Sequence, residues 1–362
     1  MYVCGVTPYD TTHLGHARTF LTFDVIARLL EATGHPVRYV QNVTDIDESI
    51  LQRAARDNVG WRELGKREER AFLADMRRLG WRKPDVICHA TKELAAMFAL
   101  IRDLERRNAA YVLPRGVYFP VSASTHYGEL SRLSVASMIR ILARQDDAKL
   151  EDPGRRDTRD FALWRFVDDG PTWPSRWGKG RPGWHLECSA MIRHHLGDQI
   201  DVHGGGSDLV YPHHENEIAQ SETASRKRPF ARTWAHVAPM ELGGKKMSKS
   251  DGNMVFVRDA LKTTEPRALR LYLLDRHYRK RFDHDEALLG RARVRAKALA
   301  DVFGRGPVGP IGRDGYTRGA LAALENDLNV PRALGIIEWS APRVDAKTRA
   351  SLRAIARIIG VA

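Results

Sequence analysis

Two short strings in this chain carry side chains that could handle a polyphosphate. His13-Leu14-Gly15-His16 sets two imidazoles around a glycine. Lys246-Met247-Ser248-Lys249-Ser250 sets two ammonium groups and two hydroxyls on a stretch preceded by Gly243 and Gly244 and followed by Gly252. The first string lies where a short strand turns into a helix. A helix N-terminus presents N–H groups and a partial positive charge, which suits phosphate oxygens. His13 and His16 can donate hydrogen bonds as charge develops on those oxygens, and Gly15 lets a flat base or phosphate approach the backbone. In the second string, Lys246 and Lys249 with Ser248 and Ser250, on a glycine-hinged loop, can close over a departing pyrophosphate. Each string alone is also compatible with a plain structural role: a turn capped by histidine, and a solvated surface loop.

A second group of residues could bind a metal. Cys4 ends the first strand, Cys188 lies in Gly183-Trp-His-Leu-Glu-Cys, and Pro212-His-His-Glu-Asn-Glu supplies His213 and Glu217. His213 and Glu217 are spaced i, i+4, which puts them on one helical face. Two thiolates, an imidazole and a carboxylate make a plausible zinc shell. Spacing alone leaves Cys4 equally open to a core strand role, since buried cysteine commonly packs as a small hydrophobe. Cys88 matches no motif and reads as a buried structural thiol. Asp45 and Asp47 read as helix N-terminal caps.

The elements that must position these residues begin with a βαβ unit. Tyr2-Val3-Cys4 reads as a strand. A helix from about His16 carries Phe20, Phe23, Ile26, Leu29 and Leu30 on one face and stops at Gly34, and a second strand lies within Pro36–Thr44. This order implies a parallel sheet with ligands at the carboxyl ends of its strands. Residues 48 to about 110 look helical and charged, and short β-like runs among Gly, Pro and Trp then interrupt the fold. Gln199-Ile-Asp-Val-His reads as a strand entering Gly204-Gly-Gly-Ser-Asp, Pro212 opens another helix, and Gly243-Gly-Lys-Lys reads as a mobile loop. The expected organisation is 1–109 and 184–240 as two halves of one catalytic domain, 110–183 as a connective insertion, 241–305 as a loop and helical region, and 306–362 as a truncated helical tail. The chain begins almost on its first strand, which leaves open a start codon further upstream.

The 362 residues are 43% hydrophobic and 28% charged, with a formal charge of +13 and a pI near 9.8. No apolar run approaches the ~20 residues needed to span a membrane, and the N-terminus lacks signal-peptide organisation, so a cytoplasmic, membrane-free protein is expected. Three distant cysteines fit a reducing compartment. The basic balance favours polyanionic partners such as RNA, although an arginine-rich composition from a high-GC genome gives the same number.

The two phosphate strings together, in this order, resemble the HIGH and KMSKS motifs of class I aminoacyl-tRNA synthetases. Met1-Tyr-Val-Cys-Gly, Tyr39-Val-Gln-Asn-Val-Thr-Asp-Ile-Asp, Arg181-Pro-Gly-Trp-His-Leu-Glu-Cys-Ser-Ala-Met, Asp201-Val-His-Gly-Gly-Gly-Ser-Asp-Leu and Pro212-His-His-Glu-Asn-Glu-Ile-Ala-Gln-Ser look like cysteinyl-tRNA synthetase over roughly residues 1–300. The resemblance implies an α/β, Rossmann-type class I synthetase catalytic domain with a connective insertion and a short helical C-terminal region. It implies one zinc on Cys4, Cys188, His213 and Glu217 that binds the substrate thiolate, and magnesium with ATP. It further implies Trp184 and Thr44 at the cysteine site, and Gly15, Gly204, Gly205, Gly206, Asp208, Met247, Ser248 and Ser250 at the ATP site. His13, His16, Lys246 and Lys249 would stabilise in-line attack of the cysteine carboxylate on the α-phosphate.

The acceptor is less well marked. A full cysteinyl-tRNA synthetase continues into a helical bundle and an anticodon-binding module. Here about 60 residues follow a Gly/Pro linker, which puts anticodon reading in doubt. Thr7-Pro-Tyr-Asp and His13-Leu-Gly-His resemble the paralogous cysteine ligase of mycothiol biosynthesis, which joins activated cysteine to the amine of glucosaminyl-inositol. Glu217 departs from that paralogue, whose site typically uses three protein ligands. Arg291, Arg293, Arg295, Arg349, Arg353 and Arg357 also suit an RNA acceptor stem. The expectation is transfer to tRNA, with a small amine or a carrier as alternative. A catalytically silent RNA-binding paralogue is the third reading, which the intact motifs disfavour.

Overall fold

The structure is a computed structural model that describes residues 1–10, 12–145, 151–247, 252–304 and 306–362, without the side chain of Lys246. In chain order its first elements are β1 (Tyr2–Val6), α1 (Leu14–Ala32), β2 (Val40–Val43), α2 (Glu48–Arg56), α3 (Trp61–Arg78), β3 (Val86–His89), α4 (Leu94–Arg106), β4 (Tyr111–Leu113), β5 (Gly116–Phe119), α5 (Val135–Leu142), β6 (Phe161–Phe166) and β7 (Gly180–Pro182). There follow α6 (Trp184–Leu196), β8 (Ile200–Gly206), α7 (Glu215–Ser225), β9 (Ala231–Val237), β10 (Met240–Leu242), β11 (Lys245–Lys246), α8 (Val257–Thr263), α9 (Pro266–Leu274), β12 (Phe282–Asp283), α10 (Glu286–Phe303), α11 (Gly315–Glu325), α12 (Val330–Ser340) and α13 (Ala346–Ile359). The chain forms two compact units. One comprises Met1–Asp10, Tyr39–Glu68 and Pro84–Ala235, the other Thr11–Arg38, Glu69–Lys83 and His236–Ala362.

The first unit is built on a five-stranded sheet of order β3-β2-β1-β8-β9, in which β1 pairs in parallel with both β2 and β8. β2 is buried along its whole length, and β1 is buried apart from a partly exposed Gly5, as expected of strands covered on both faces. The neighbours of β1 are later strands on both sides, so the order reverses there. Such a switch point leaves a crevice at the carboxyl ends of the strands. Gly5 is required in this strand, because a Cβ would lie 1.7 Å from the carbonyl oxygen of Asn42 on β2. The segment read as helical from 48 to 110 contains β3, whose Val-Ile-Cys-His was too short to stand out from its charged surroundings. Between residues 111 and 182, β4 to β7 form a separate antiparallel sheet. Helices α4, α6 and α7 pack on one another around Met97, Ile101, Leu186, Met191 and Ile192.

The second unit centres on α1, which packs against α9 and α13. The one-faced pattern expected of α1 is only partly realised. Phe20 and Phe23 are buried, but so are Leu21, Thr22, Asp24 and Val25, while Ile26, Leu29 and Leu30 are only half-buried. A helix covered on several sides has no single apolar stripe. Gly243 and Gly244, expected in a mobile loop, instead turn a hairpin between β10 and β11 with φ of 62° and 74°. Both positions need a positive φ, which matches the type I′ turn of tight hairpins. Helices α11, α12 and α13 pack together through Ala320, Leu334, Ile337, Leu352 and Ile355.

Candidate active site and its metal-capable cluster

At the switch point of the first unit, β1 ends beside β8 with Val3 opposite Gly204. This register brings Cys4 against the glycine run, and a Cβ on Gly205 would meet Cys4 Cβ at 3.5 Å and Leu209 at 2.8 Å. Asp208 is exposed and folds its carboxylate back over Gly206, where a Cβ would lie 2.4 Å from Oδ1. Gly205 and Gly206 therefore leave little room for a side chain at this end of β8.

Four donors from three elements converge here. Cys4 Sγ lies 3.8 Å from Cys188 Sγ on α6 and 3.6 Å from Glu217 Oε1 on α7. His213 Nε2 lies 3.1 Å from the same Glu217 oxygen. The i, i+4 relation expected of His213 and Glu217 is met even though α7 begins only at Glu215. The preceding turn breaks at Tyr211, whose φ and ψ are −136° and 132°. All four side chains are buried, and their ligand atoms lie within 4.8 Å of one another.

These residues fit a tetrahedral soft cation. Zinc–sulfur bonds of ~2.3 Å set two sulfurs about 3.8 Å apart, which is the spacing observed for Cys4 and Cys188. Burial pushes both thiols up and lowers the His213 imidazolium to about 3. The imidazole is therefore neutral, as a ligand must be. The thiols need a cation before they ionise, because an unpaired thiolate in this apolar setting is costly. The sulfurs at 3.8 Å are free thiols and not a disulfide.

Three histidines that sequence reasoning left out surround the four donors. His203 Nε2 lies 2.9 Å from Glu217 Oε2. Its Nδ1 has no partner among the described residues, which favours the tautomer whose Nε2–H donates to the carboxylate. A second partner of this kind orients a metal-binding carboxylate. His214 Nε2 lies 3.4 Å from Cys4 Sγ, and Cys4, His203, His214 and Glu217 form an overlapping donor set. We favour the set with Cys188, because two thiolates suit a thiophilic cation better than one. His185 Nδ1 lies 3.0 Å from His213 Nδ1, and burial lowers the His185 imidazolium to about 3. The signals for these residues were a histidine in the strand just before a glycine run, and histidines adjacent to residues already chosen.

Trp184 sits at the cluster's edge, its ring 4.2 Å from that of His213. Thr44 lies in a neighbouring network. It accepts from Asn42 at 3.2 Å and donates to Glu187 at 3.1 Å, while Asn42 also accepts the Gly5 N–H. Burial raises the Glu187 carboxyl well above its ordinary value. Thr44 is thus next to α6, with its hydroxyl already engaged. Cys88 is buried, 3.6 Å from the Gln41 carbonyl. Asp47 caps α2 through the Ser49 N–H, whereas Asp45 instead accepts from the N–H and hydroxyl of Thr91.

The second unit holds the other candidate residues. His13 is the N-cap of α1, its Nδ1 accepting from the N–H groups of Gly15 and His16. Two N–H groups expected to face a phosphate are therefore occupied by this imidazole, which leaves its proton on Nε2. His16 stacks on His13 at 3.7 Å. Gly15 is needed for this arrangement, since a Cβ would lie 2.9 Å from the His13 ring. Lys246 belongs to β11, and Met247 is buried with its N–H on the Met240 carbonyl. Ser248, Lys249 and Ser250 lie outside the described residues.

Several arginines expected to serve RNA are engaged within the unit. Arg295 pairs with Asp275 and Glu338, Arg293 donates to Thr263 and Thr264, Arg349 donates to the Ala341 and Val344 carbonyls, and Arg353 donates to the Gly304 carbonyl. Arg291 and Arg357 are exposed.

A parallel sheet with its switch point beside a thiol-rich cluster is the framework of a ligand-binding α/β enzyme. The comparisons narrow this. The family described as tRNA synthetases class I (C) catalytic domain matches residues 1–294, and the chain belongs to that family. It is 44% identical over 347 residues to the L-cysteine:1D-myo-inositol 2-amino-2-deoxy-alpha-D-glucopyranoside ligase of Frankia alni, covering 93% of this chain and 82% of that protein. It is also 43% identical over 351 residues to the cysteine--tRNA ligase of Anaeromyxobacter sp. (strain K), covering 93% of this chain and 71% of that one. The fold matches methionyl-tRNA synthetase of Mycobacterium tuberculosis in complex with methionyl-adenylate, with a TM-score of 0.66 at 16% identity over 99% of this chain and 89% of the other.

Proposed function

We propose that this chain activates L-cysteine with magnesium-ATP to cysteinyl-adenylate and transfers the cysteinyl group to the 3′ end of a tRNA. The observation that carries this reading is the buried set of Cys4, Cys188, His213 and Glu217 at the switch point. One zinc held there would bind the substrate sulfur as thiolate and so separate cysteine from serine, which a simple pocket distinguishes by only ~1–3 kcal/mol. Trp184 would wall the amino acid, and the backbone of Gly204–Gly206 would admit the adenosine.

In the activation step the cysteine carboxylate attacks the α-phosphorus. A P–O bond forms, the α–β bridge breaks, and pyrophosphate leaves. The Nε2–H of His13, with His16, Lys246, Lys249 and the Ser248 and Ser250 hydroxyls, would meet the charge on the phosphate oxygens. A terminal ribose hydroxyl then attacks the carbonyl, and AMP leaves. No nucleophile from the protein is needed. Reduced, buried thiols fit a cytoplasmic setting, and among the described residues no helix is long and apolar enough to cross a membrane.

Glu217 is the reason to favour tRNA, because a fourth protein donor is the pattern that the resemblance to cysteinyl-tRNA synthetase implies. A second reading is transfer to a sugar amine, favoured by the Frankia relative and by the arginines engaged within the unit. Labelled cysteine with ATP and magnesium, offered total tRNA and glucosaminyl-inositol in separate reactions, decides between them. Acid-precipitable, alkali-labile product on tRNA is expected. An alkali-stable amide on the amine, with none on tRNA, overturns the tRNA reading. Absence of cysteine-dependent ATP–pyrophosphate exchange overturns both.

A further inference from the structure

A second donor cluster lies at the other end of the helix that carries Cys188. Glu93 immediately precedes α4, and His194 and His195 lie in the last turn of α6. Glu93 Oε2 is 2.6 Å from His194 Nδ1, and Oε1 is 2.8 Å from His195 Nε2. One nitrogen from each ring and the carboxylate lie within 4.8 Å of one another.

Two features make this more than a surface ion pair. Glu93 occupies the N-cap position of α4, where a carboxylate would ordinarily accept helix N–H groups, yet it makes no capping hydrogen bond. It is buried and gives both oxygens to imidazoles instead. Consecutive residues on a helix point ~100° apart, but the His194 and His195 rings lie 4.5 Å apart and turn to the same carboxylate. The sequence separation of about 100 residues hid this cluster, since neither histidine matches a spaced motif.

We propose that Glu93, His194 and His195 form a second metal site, which takes a divalent cation of borderline softness, zinc above all. Two imidazoles and a carboxylate are a zinc donor set. The C-terminal turn of α6 adds partial negative charge from its carbonyls. His194 is the exposed member at 57%, against 18% for His195 and 10% for Glu93. The remaining coordination positions therefore face solvent. A cation here ties the end of α6 to the start of α4. The site lies roughly 10 Å along α6 from Cys188 at a rise of 1.5 Å per residue, so the two sites share a helix but no ligand.

Cobalt(II) added to the metal-stripped protein tests this. Binding at Cys4 and Cys188 produces thiolate-to-cobalt charge transfer in the near ultraviolet, and binding at Glu93, His194 and His195 produces only weak visible bands. The wild-type protein is expected to take up one equivalent of each kind. His195→Gln and Glu93→Gln should lose the second kind and keep the charge-transfer band. His194→Gln, at an exposed ring, should weaken the second kind at least tenfold without lowering Tm in the absence of metal. Saturation of the wild type with charge-transfer bands alone overturns the proposal, as does second-kind binding unchanged in all three variants. If the charge-transfer band never appears but the weak bands do, and His195→Gln removes them, this proposal stands and the zinc assignment at Cys4 falls.

Discussion

Two buried polar clusters, one in each unit, differ in how fully their groups are satisfied. In the first, Cys4, Cys188, His213 and Glu217 crowd together, in contact with one another and with His185, His203 and His214. Nearby, His203 Nδ1, Asn216 Nδ2 and Gln220 Oε1 are buried without hydrogen bonds among the described residues. In the second, the buried charge of Arg270 is closed. It pairs with Asp24 and donates to the carbonyls of Ile359, Leu79 and Gly80. Asp24 in turn accepts from Arg28 and from the Arg82 N–H. Buried polar atoms without partners cost free energy. The crowded donors at the sheet's switch point could be completed by a ligand, whereas the Arg270 network is complete as it stands.

The sharpest way to break this contrast is to remove one donor from each region. Cys188→Ser should abolish tight metal binding and reduce cysteine-dependent ATP–pyrophosphate exchange by more than the roughly 100-fold that an outer partner contributes. Zinc content by atomic emission and the exchange assay check it together. Stability of the metal-free protein should change little. Retained zinc with normal exchange would mean that the crowded donors are only packing.

Asp24→Ala should do the reverse. It strands the Arg270 guanidinium in the core, and breaking one partner of a buried pair costs ~3–5 kcal/mol. Urea unfolding should show that loss, while zinc content per folded chain stays at the wild-type value. A loss below about 1 kcal/mol would mean that the carbonyls alone satisfy Arg270, and that the network is less closed than its hydrogen bonds suggest.

The contrast also explains which parts of the molecule could be read from its sequence. The βαβ start was legible because local periodicity specifies it. The four cluster donors came from the family resemblance, since spacing alone left Cys4 open to a core role. Gly204–Gly206, expected as a turn after the strand, instead continue β8. The role of His13 was half legible. A helix N-terminus was evident, but that the imidazole itself would cap it depends on a ring orientation that spacing does not encode. His203, His185 and the Glu93 cluster were missed because their partners arrive from other elements. The partners of the tail arginines were missed for the same reason. Composition counts their charge but not the carboxylates, carbonyls and threonine hydroxyls to which four of them donate. Closed networks such as Asp24–Arg270 leave no trace in a single sequence, since any buried pair looks like two charged residues on a helix.

The smallest expected effect tests whether an exposed network in the second unit resembles the buried one. Asp327 accepts from both arms of Arg279, at 2.7 and 2.8 Å, and from the Tyr278 hydroxyl at 2.6 Å. The Arg279 hydrogen bond, helped by Tyr278 and opposed by burial, holds its carboxyl below the ordinary value. A depressed carboxyl contributes stability above its unfolded pKa of ~3.9, and that contribution is lost as the pH falls through the folded value. Asp327 is 43% exposed, so solvent screening limits the effect to a few tenths of a kcal/mol, at most ~1. Asp327→Asn keeps a side chain that tolerates the positive φ of 52° at this position. The variant should therefore unfold slightly earlier in urea at pH 7, and the gap to the wild type should close as the pH falls from the unfolded pKa through the folded value. A gap that persists in acid would assign the difference to the shape of the turn and not to charge. A gap of several kcal/mol at pH 7 would show that this network is coupled as tightly as the one around Arg270.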